Sequence, residues 1–384
     1  MEAQIKSEFV EKRITFLGAG PMSQTSVDCV IELANYYKKP IALIPSRRQI
    51  ESGNLGGGYV NNWSTEEFAR YVRKNDIGGF VILSRDHSGP WQYSPKDNQG
   101  NLLTHEFALN ESKESLKEDL RSGFDLIHLD PSLGLKYGLS AQEIEDDILD
   151  LLEFCKKNQT KPVSFEIGAD EQSIKPELVV DAQLKLLSLL TRIKREKLPL
   201  PLFYVLQTGT KVMETRNIGS FDSKLPVEGM LPASIQLPEM LKMCASNSIL
   251  IKEHNADYLS DNALKWHRRF GIHAANVAPE FGVAETKALL KISDMKNHSF
   301  SEEFRRIVLD GKRWEKWLFP NSKSDDIKKV EIAGHYHFAN PEVVLLREKL
   351  KRDLEPSNID LDQMVKDEVK RSINRYLRNF GYER

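Results

Sequence analysis

Gly79-Phe80-Val81-Ile82-Leu83-Ser84-Arg85-Asp86-His87 is the stretch whose reading decides the fold. An apolar, β-rich run gives way at once to a hydroxyl, a guanidinium, a carboxylate and an imidazole. A buried parallel strand needs an apolar body, because helices cover both of its faces. Polar groups at its carboxyl end are costly unless they line a site. The same switch recurs along the chain. Leu126-Ile127 runs into His128-Leu129-Asp130, and Val163-Ser164-Phe165 into Glu166. Phe203-Tyr204-Val205-Leu206 runs into Gln207-Thr208-Gly209, and Ile249-Leu250-Ile251 into Lys252-Glu253-His254-Asn255. In a (β/α)8 barrel all strands point their carboxyl ends at one mouth, where the chemistry of that fold sits. The pattern predicts an enzyme active site on a barrel.

Strand-like runs number eight: Ile14–Leu17, Ile41–Ile44, Phe80–Leu83, Leu126–Leu129, Val163–Ile167, Phe203–Leu206, Ile249–Ile251 and Ile272–Val277. Between them lie helical periodicities such as Ile144, Ile148, Leu151, Leu152 and Phe154. Alternating strands and helices imply βαβ units and a parallel sheet. Eight units predict an α/β fold closed as a (β/α)8 TIM barrel, with a large doubly wound sheet as the alternative. Residues 1–295 are read as the barrel. Residues 296–384 are read as a C-terminal helical extension, a cap or an oligomer contact, broken at Pro356-Ser357 and restarting near Asp360. The long connections 45–64, 88–115 and 207–237 all follow carboxyl ends of strands, where function concentrates. Trp91-Gln92-Tyr93 reads as exposed; Trp266, Phe270 and Trp314 read as core.

Composition narrows the class. The charge of -2 comes from 54 basic and 56 acidic residues, so no cationic excess exists to neutralise a nucleic-acid backbone. Cys29, Cys155 and Cys244 stand singly, which disfavours a thiolate zinc site or a disulfide framework. The start, Met1 to Lys6, lacks a signal-peptide core, and no run approaches the ~20 apolar residues that span a bilayer. A cytoplasmic enzyme is the expectation. Gly56-Gly57-Gly58 lacks the P-loop spacing, so nucleotide binding is not expected.

Six motifs in register then carry a resemblance. They are Gly56-Gly57-Gly58-Tyr59, Asp86-His87-Ser88-Gly89-Pro90, Ile127-His128-Leu129-Asp130, Glu166-Ile167-Gly168, Val205-Leu206-Gln207-Thr208-Gly209 and Glu253-His254-Asn255-Ala256-Asp257-Tyr258. Together they resemble the family of the large accessory subunit of class II tagatose-bisphosphate aldolase. That family is similar, more distantly, to the metal-dependent ketose-bisphosphate aldolases. The chain departs from the family at Gly168-Ala169-Asp170-Glu171-Gln172 and at Ala274-Ala275-Asn276-Val277-Ala278-Pro279, in loops that contact substrate.

The candidate site follows. His87, His254 and Glu166 are read as ligands of a divalent metal, with zinc expected and manganese, magnesium or cobalt as alternatives. Asp86 is read as the acid/base on the reacting hydroxyl, and Glu166 as a ligand or second base. The resemblance implies the same roles for Asp86, His87 and His254. It also places Gln207 where the aldolases carry another metal histidine. An amide is a weaker ligand than imidazole, so Gln207 is assigned to substrate hydroxyls. His128 is a candidate substrate contact; it shares a strand face with Asp130, and one of the two either orients a ligand or packs inside the barrel mouth. Asn255, Asp257 and Asn276 are candidate hydroxyl binders. Arg85, Lys252, Arg216 and Lys211 are candidate cations for a phosphate. His335 and His337 form a second histidine pair, read as a metal cluster or as a strand on the barrel rim.

The leading expectation is a metal-dependent carbohydrate enzyme that cleaves or condenses a ketose or ketose phosphate through an enediolate. An epimerase of a sugar or sugar phosphate using the same intermediate is the second. A non-catalytic subunit that stabilises a separate class II aldolase is the third, favoured by Gln207. Partners are a small sugar or sugar phosphate, with a homo-oligomer or a hetero-complex with a catalytic aldolase subunit.

Overall fold

The computed structural model describes Ile5, Ser7, Phe9 and residues 11–97, 99–168, 178–222 and 233–383. The turn Ala169 to Gln172 and residues 1–4 lie outside them. The strands are β1 (Phe16–Ala19), β2 (Ile41–Leu43), β3 (Val81–Ser88), β4 (Leu126–Leu129), β5 (Ser164–Ile167), β6 (Phe203–Leu206), β7 (Val212–Met213), β8 (Arg216–Asn217), β9 (Leu250–Glu253) and β10 (Ala274–Val277). Eight of them close a parallel barrel in the order β1-β10-β9-β6-β5-β4-β3-β2. The fold is a (β/α)8 barrel. β7 and β8 form a small antiparallel hairpin in the connection after β6, an element the apolar pattern does not announce.

The helices after successive barrel strands are α1 (Gln24–Tyr37), α2 (Thr65–Asn75), α3 (His105–Arg121), the short α4 (Leu133–Lys136) with α5 (Ala141–Asn158), α6 (Val179–Arg195), α7 (Ala233–Ser246), α8 (Asp261–Phe270) and α9 (Pro279–Met295). Ser64 and Ser140 begin α2 and α5 with reciprocal capping boxes, to Glu67 and Glu143. Each cap satisfies amide groups that have no partner within the helix. Ile127, Leu129, Phe165, Ile167, Tyr204, Leu206 and Ile251 pack with helix residues such as Leu152, Leu186 and Met240. Burying each such side chain contributes roughly 1.5–3 kcal/mol. Side chains alternate along a strand, so His128, Glu166, Val205 and Lys252 face the barrel interior.

The remaining helices are α10 (Phe300–Asp310), α11 (Asp326–Ala333), α12 (Pro341–Leu354) and α13 (Leu361–Phe380). Val369, Ile373, Tyr376, Leu377 and Phe380 of α13 belong to the same apolar cluster as β1 and β2. Beyond α13, the Tyr382 hydroxyl donates to the Pro40 carbonyl at 2.9 Å and accepts from the Leu17 amide at 3.1 Å.

Two aromatic expectations are corrected. Trp91 is buried, not exposed: its ring packs between His105 and Tyr137, and its indole N–H donates to the Leu103 carbonyl. Trp266 is 45% exposed rather than core, stacked on Phe270 at the surface of α8. His335 and His337 lie in a 3-10 turn, Gly334–His337, and not in a strand.

Candidate metal centre

The site begins with a distortion. In a regular strand Asp86 and His87 would point to opposite faces. β3 instead runs on to Ser88, and its register with β4 shifts between Arg85 and Ser88. His87 takes a left-handed φ of 46°, a conformation uncommon outside glycine. Such a bulge re-aims side chains, and here it brings both groups into one cluster. Asp86, His87, His128 and His254 each offer a ligand atom, and all four atoms lie within 4.8 Å of one another.

The hydrogen bonds around the cluster fix which nitrogen faces it. His87 Nδ1 meets Asp130 Oδ2 at 2.8 Å; Asp130 also accepts from the Gln92 side chain and the Ser132 amide. Asp130, although buried, is held below the usual carboxylate range, because His87 and His128 offset the cost of burial. It accepts the His87 Nδ1 proton, leaving Nε2 toward Asp86 Oδ2 at 3.5 Å. His128 Nε2 donates to the Gly168 carbonyl at 3.2 Å, which leaves Nδ1 as an acceptor facing Asp86 Oδ1 at 3.6 Å. That nitrogen is buried and makes no hydrogen bond among the described residues. His254 Nε2 lies 3.9 Å from the same oxygen. So ring nitrogens converge on a carboxylate at distances too long for hydrogen bonds.

Acceptor facing acceptor is repulsive unless a cation lies between them. Three imidazoles and a carboxylate are the donor set that suits zinc and similar divalent ions, so the residues fit the group. A proton is the substitute when no ion is bound. Burial opposes charge on both partners, yet Asp86 is held well below the usual range by His87, His254 and His128. The His128 imidazole is raised by Asp86, Asp130 and Glu166 against the same opposition.

The other sequence candidates fall into distinct places. Glu166 is not in the cluster: both its oxygens accept from Lys252 Nζ, at 2.6 and 2.8 Å, inside the barrel. Lys252 is therefore engaged by Glu166 in the barrel interior. Arg85 needs correction: it points outward and is fully buried, pairing with Asp119 of α3 at 2.5 and 2.9 Å and donating to the Ile50 carbonyl. Asp257 is likewise a structural group, accepting the Ala278 and Glu280 amides at the start of α9; burial pushes its pKa up to about 7. Arg216 is exposed on the hairpin, its guanidinium 4.7 Å from the Phe319 ring. Lys211 is half-buried at the hairpin base, and its amide donates to Asn217.

Asn276 reaches the centre. Its amide nitrogen is 3.4 Å from Asp86 Oδ1, and its buried Oδ1 accepts nothing among the described residues. Gly18 makes this possible, because a Cβ there would stand 2.3 Å from Asn276 Oδ1. The Asn255 carbonyl accepts from the Asn217 side chain, so the hairpin is tied to the connection after β9. Gln207 follows β6 and is half-buried. The member that sequence reasoning left out of the ligand set is His128. Its period-two spacing from Asp130 was the available signal.

No family model matches the chain, and no curated protein matches it. Solved structures do share the architecture. A probable tagatose 6 phosphate kinase from Sinorhizobium meliloti 1021 superposes with a TM-score of 0.73 at 13% identity, covering 95% of this chain and all of that one. The fructuronate-tagaturonate epimerase from Cohnella laeviribosi gives 0.58 at 10% identity, over 96% of this chain and 81% of its own. The fructose-bisphosphate aldolase from Campylobacter jejuni gives 0.53 at 13% identity, over 97% and 92%. At these identities the likeness is one of fold: the chain is built on a barrel that a sugar aldolase and an epimerase also use.

Proposed function

We propose that this chain is a divalent-metal-dependent enzyme acting on a ketose or ketose phosphate. His87, His128 and His254 hold the ion, and Asp86 is the acid/base beside it. The observation that carries the reading is the convergence of three ring nitrogens on Asp86 at 3.5, 3.6 and 3.9 Å. A bound divalent ion would supply Lewis acidity toward a substrate carbonyl or hydroxyl. Asp86 accepts the proton of the reacting hydroxyl. Asn276 Oδ1 takes a neighbouring hydroxyl as donor. In aldol cleavage the electron pair of the broken carbon–carbon bond passes to the enediolate fragment. That fragment takes up the proton that Asp86 holds, so one acid/base group closes the reaction, and this is the reading stated first.

Epimerisation is the second reading, and one observation favours it. Glu166 and Lys252 place another acid–base pair inside the same barrel. Moving a proton off one face of a carbon and returning it to the other requires two such groups. The large-subunit resemblance and Gln207 support the third reading, a subunit without turnover. The buried, free state of all three cysteines agrees with a reducing cytoplasm, and no helix among the described residues is long and apolar enough to cross a membrane.

The test is metal analysis of purified protein, followed by incubation with ketoses and ketose phosphates in zinc or manganese. One equivalent of ion and a split carbon–carbon bond establish the aldolase; a stereoisomer establishes the epimerase. Absence of any bound ion overturns the metal reading and leaves the non-catalytic subunit.

A further inference from the structure

His254 reaches the centre from the end of β9, and the loop that follows must keep it there. That loop, Asn255 to Leu259, holds two left-handed positions outside glycine, Asn255 at φ 63° and Tyr258 at φ 60°. Such conformations cost energy and persist only where the surroundings over-determine them. The contacts that do so come from two directions.

One set belongs to the barrel and its hairpin. The Thr210 hydroxyl donates to the His254 carbonyl at 2.9 Å. The Asn217 side chain donates to the Asn255 and Asp257 carbonyls at 2.9 and 3.0 Å. The Ala256 amide donates to the Asn276 carbonyl at 3.0 Å, so the same loop is tied to a second residue of the centre.

The other set comes from the far end of the chain. The Tyr258 amide donates to Glu280 Oε2 at 2.6 Å and to the Tyr376 hydroxyl of α13 at 3.0 Å. That hydroxyl donates in turn to Glu280 Oε2, which closes a triangle of amide, phenol and carboxylate. Arg375, beside it on α13, meets Glu280 at 3.3 Å and Asp261 at 2.8 Å, and donates to the Leu259 carbonyl. Tyr376 is fully buried; burial and the adjacent Glu280 push its phenol well above its ordinary range, so it remains a donor. Its ring packs on Phe281 and Phe380, contacts that a phenylalanine would make equally well. The hydroxyl, by contrast, addresses only this loop and Glu280, with the Ala256 carbonyl 3.4 Å away.

We infer that Tyr376 is a positioning residue for the metal centre. Through the Tyr258 amide and Glu280 it fixes the loop that begins at His254 and is bonded to Asn276. The C-terminal helix thereby serves the centre as well as covering β1 and β2. Its effect on the ion rests on the metal reading proposed above; its effect on the loop rests on the hydrogen bonds alone.

Two single variants of the full chain test this role. Tyr376→Phe deletes the hydroxyl and keeps the ring. Tyr382→Phe deletes another buried hydroxyl just beyond the same helix, whose partners Leu17 and Pro40 lie outside the loop. In the metal-free proteins, hydrogen exchange read by mass spectrometry should show segment 255–259 exchanging faster in Tyr376→Phe and unchanged in Tyr382→Phe. Titration with cobalt alone then reads the centre. The apparent Kd should rise about tenfold in Tyr376→Phe, as for residues that orient ligands, and the visible bands of the cobalt-loaded protein should shift. Tyr382→Phe should lower the thermal midpoint and leave both cobalt readings at the parent values. Unchanged exchange in Tyr376→Phe, or an equal loss of cobalt affinity in the two variants, overturns the inference. Parent-like cobalt affinity in Tyr376→Phe, beside a parent that binds the ion, overturns it while the metal reading stands. A parent protein that takes up no cobalt removes the metal reading, and the positioning role with it.

Discussion

His128 donates through Nε2 to the Gly168 carbonyl, and that single bond turns its Nδ1 toward Asp86. Two consecutive strands are thereby locked into one centre: Gly168 follows β5, directly beside β4 in the barrel. Replacing His128 with alanine removes a ligand and leaves Asp86 with two imidazoles. Metal affinity is expected to fall on the order of 100-fold or more, beyond the 10–100-fold typical of supporting residues. Glu166→Gln is expected to retain the ion. Metal content by mass spectrometry after dialysis separates the two variants; equal loss in both would restore Glu166 to the ligand set.

Asp130 sets the His87 tautomer. Asp130→Asn preserves shape, but its amide group can present a donor where His87 needs an acceptor. Metal affinity is expected to drop about 10–100-fold, with the thermal midpoint of the metal-free protein little changed. Competition with a chelator measures the first quantity and calorimetry the second. Unaltered affinity would show that the ring is oriented by other means.

Arg85 is expected to act on stability and not on substrate. Arg85→Ala strands the Asp119 carboxylate inside the protein, where both partners are fully buried. Breaking such a pair costs about 3–5 kcal/mol. Urea denaturation should show that loss, while KM of the folded fraction stays within twofold. A KM raised tenfold with unchanged stability would return Arg85 to the substrate site.

Asp257 confers a pH dependence of defined sign. Its pKa in the folded chain is raised to about 7, so the native state holds a proton that the unfolded chain releases near 4. The stabilisation is complete below about 4 and fades as pH rises through 7. Asp257→Asn keeps an oxygen for the Ala278 and Glu280 amides and removes the titration. Its stability relative to the parent should rise between pH 4 and pH 7, then level off. Parallel stability curves for the two proteins across that range would contradict the assignment.

The barrel was legible because strand body and strand end differ so sharply in polarity. Leu126–Leu129 and Phe203–Leu206 coincide with observed strands to the residue. The site was legible where a residue's face follows from counting. Arg85 stands next to the inward Asp86, so alternation alone would have sent it outward. The partners of Glu166 and His128 were not legible, because they are set by how far neighbouring strands slide past each other. His128 and Glu166 lie opposite in the β4–β5 ladder, yet the bulge at His87 displaces β3 against β4 and gives the cluster to His128. A one-dimensional spacing carries no record of that offset. The hairpin at Val212–Asn217 was missed for another reason: each of its strands is only two residues long, too short for any periodicity.

Tyr382 holds together Leu17 and Pro40, residues laid down at the opposite end of the chain. Ribosomal synthesis therefore exposes β1 and β2 long before their last partner emerges. During that interval the Leu17 amide has no Tyr382 hydroxyl to bind, and the apolar flank awaiting α13 stays open to chaperones.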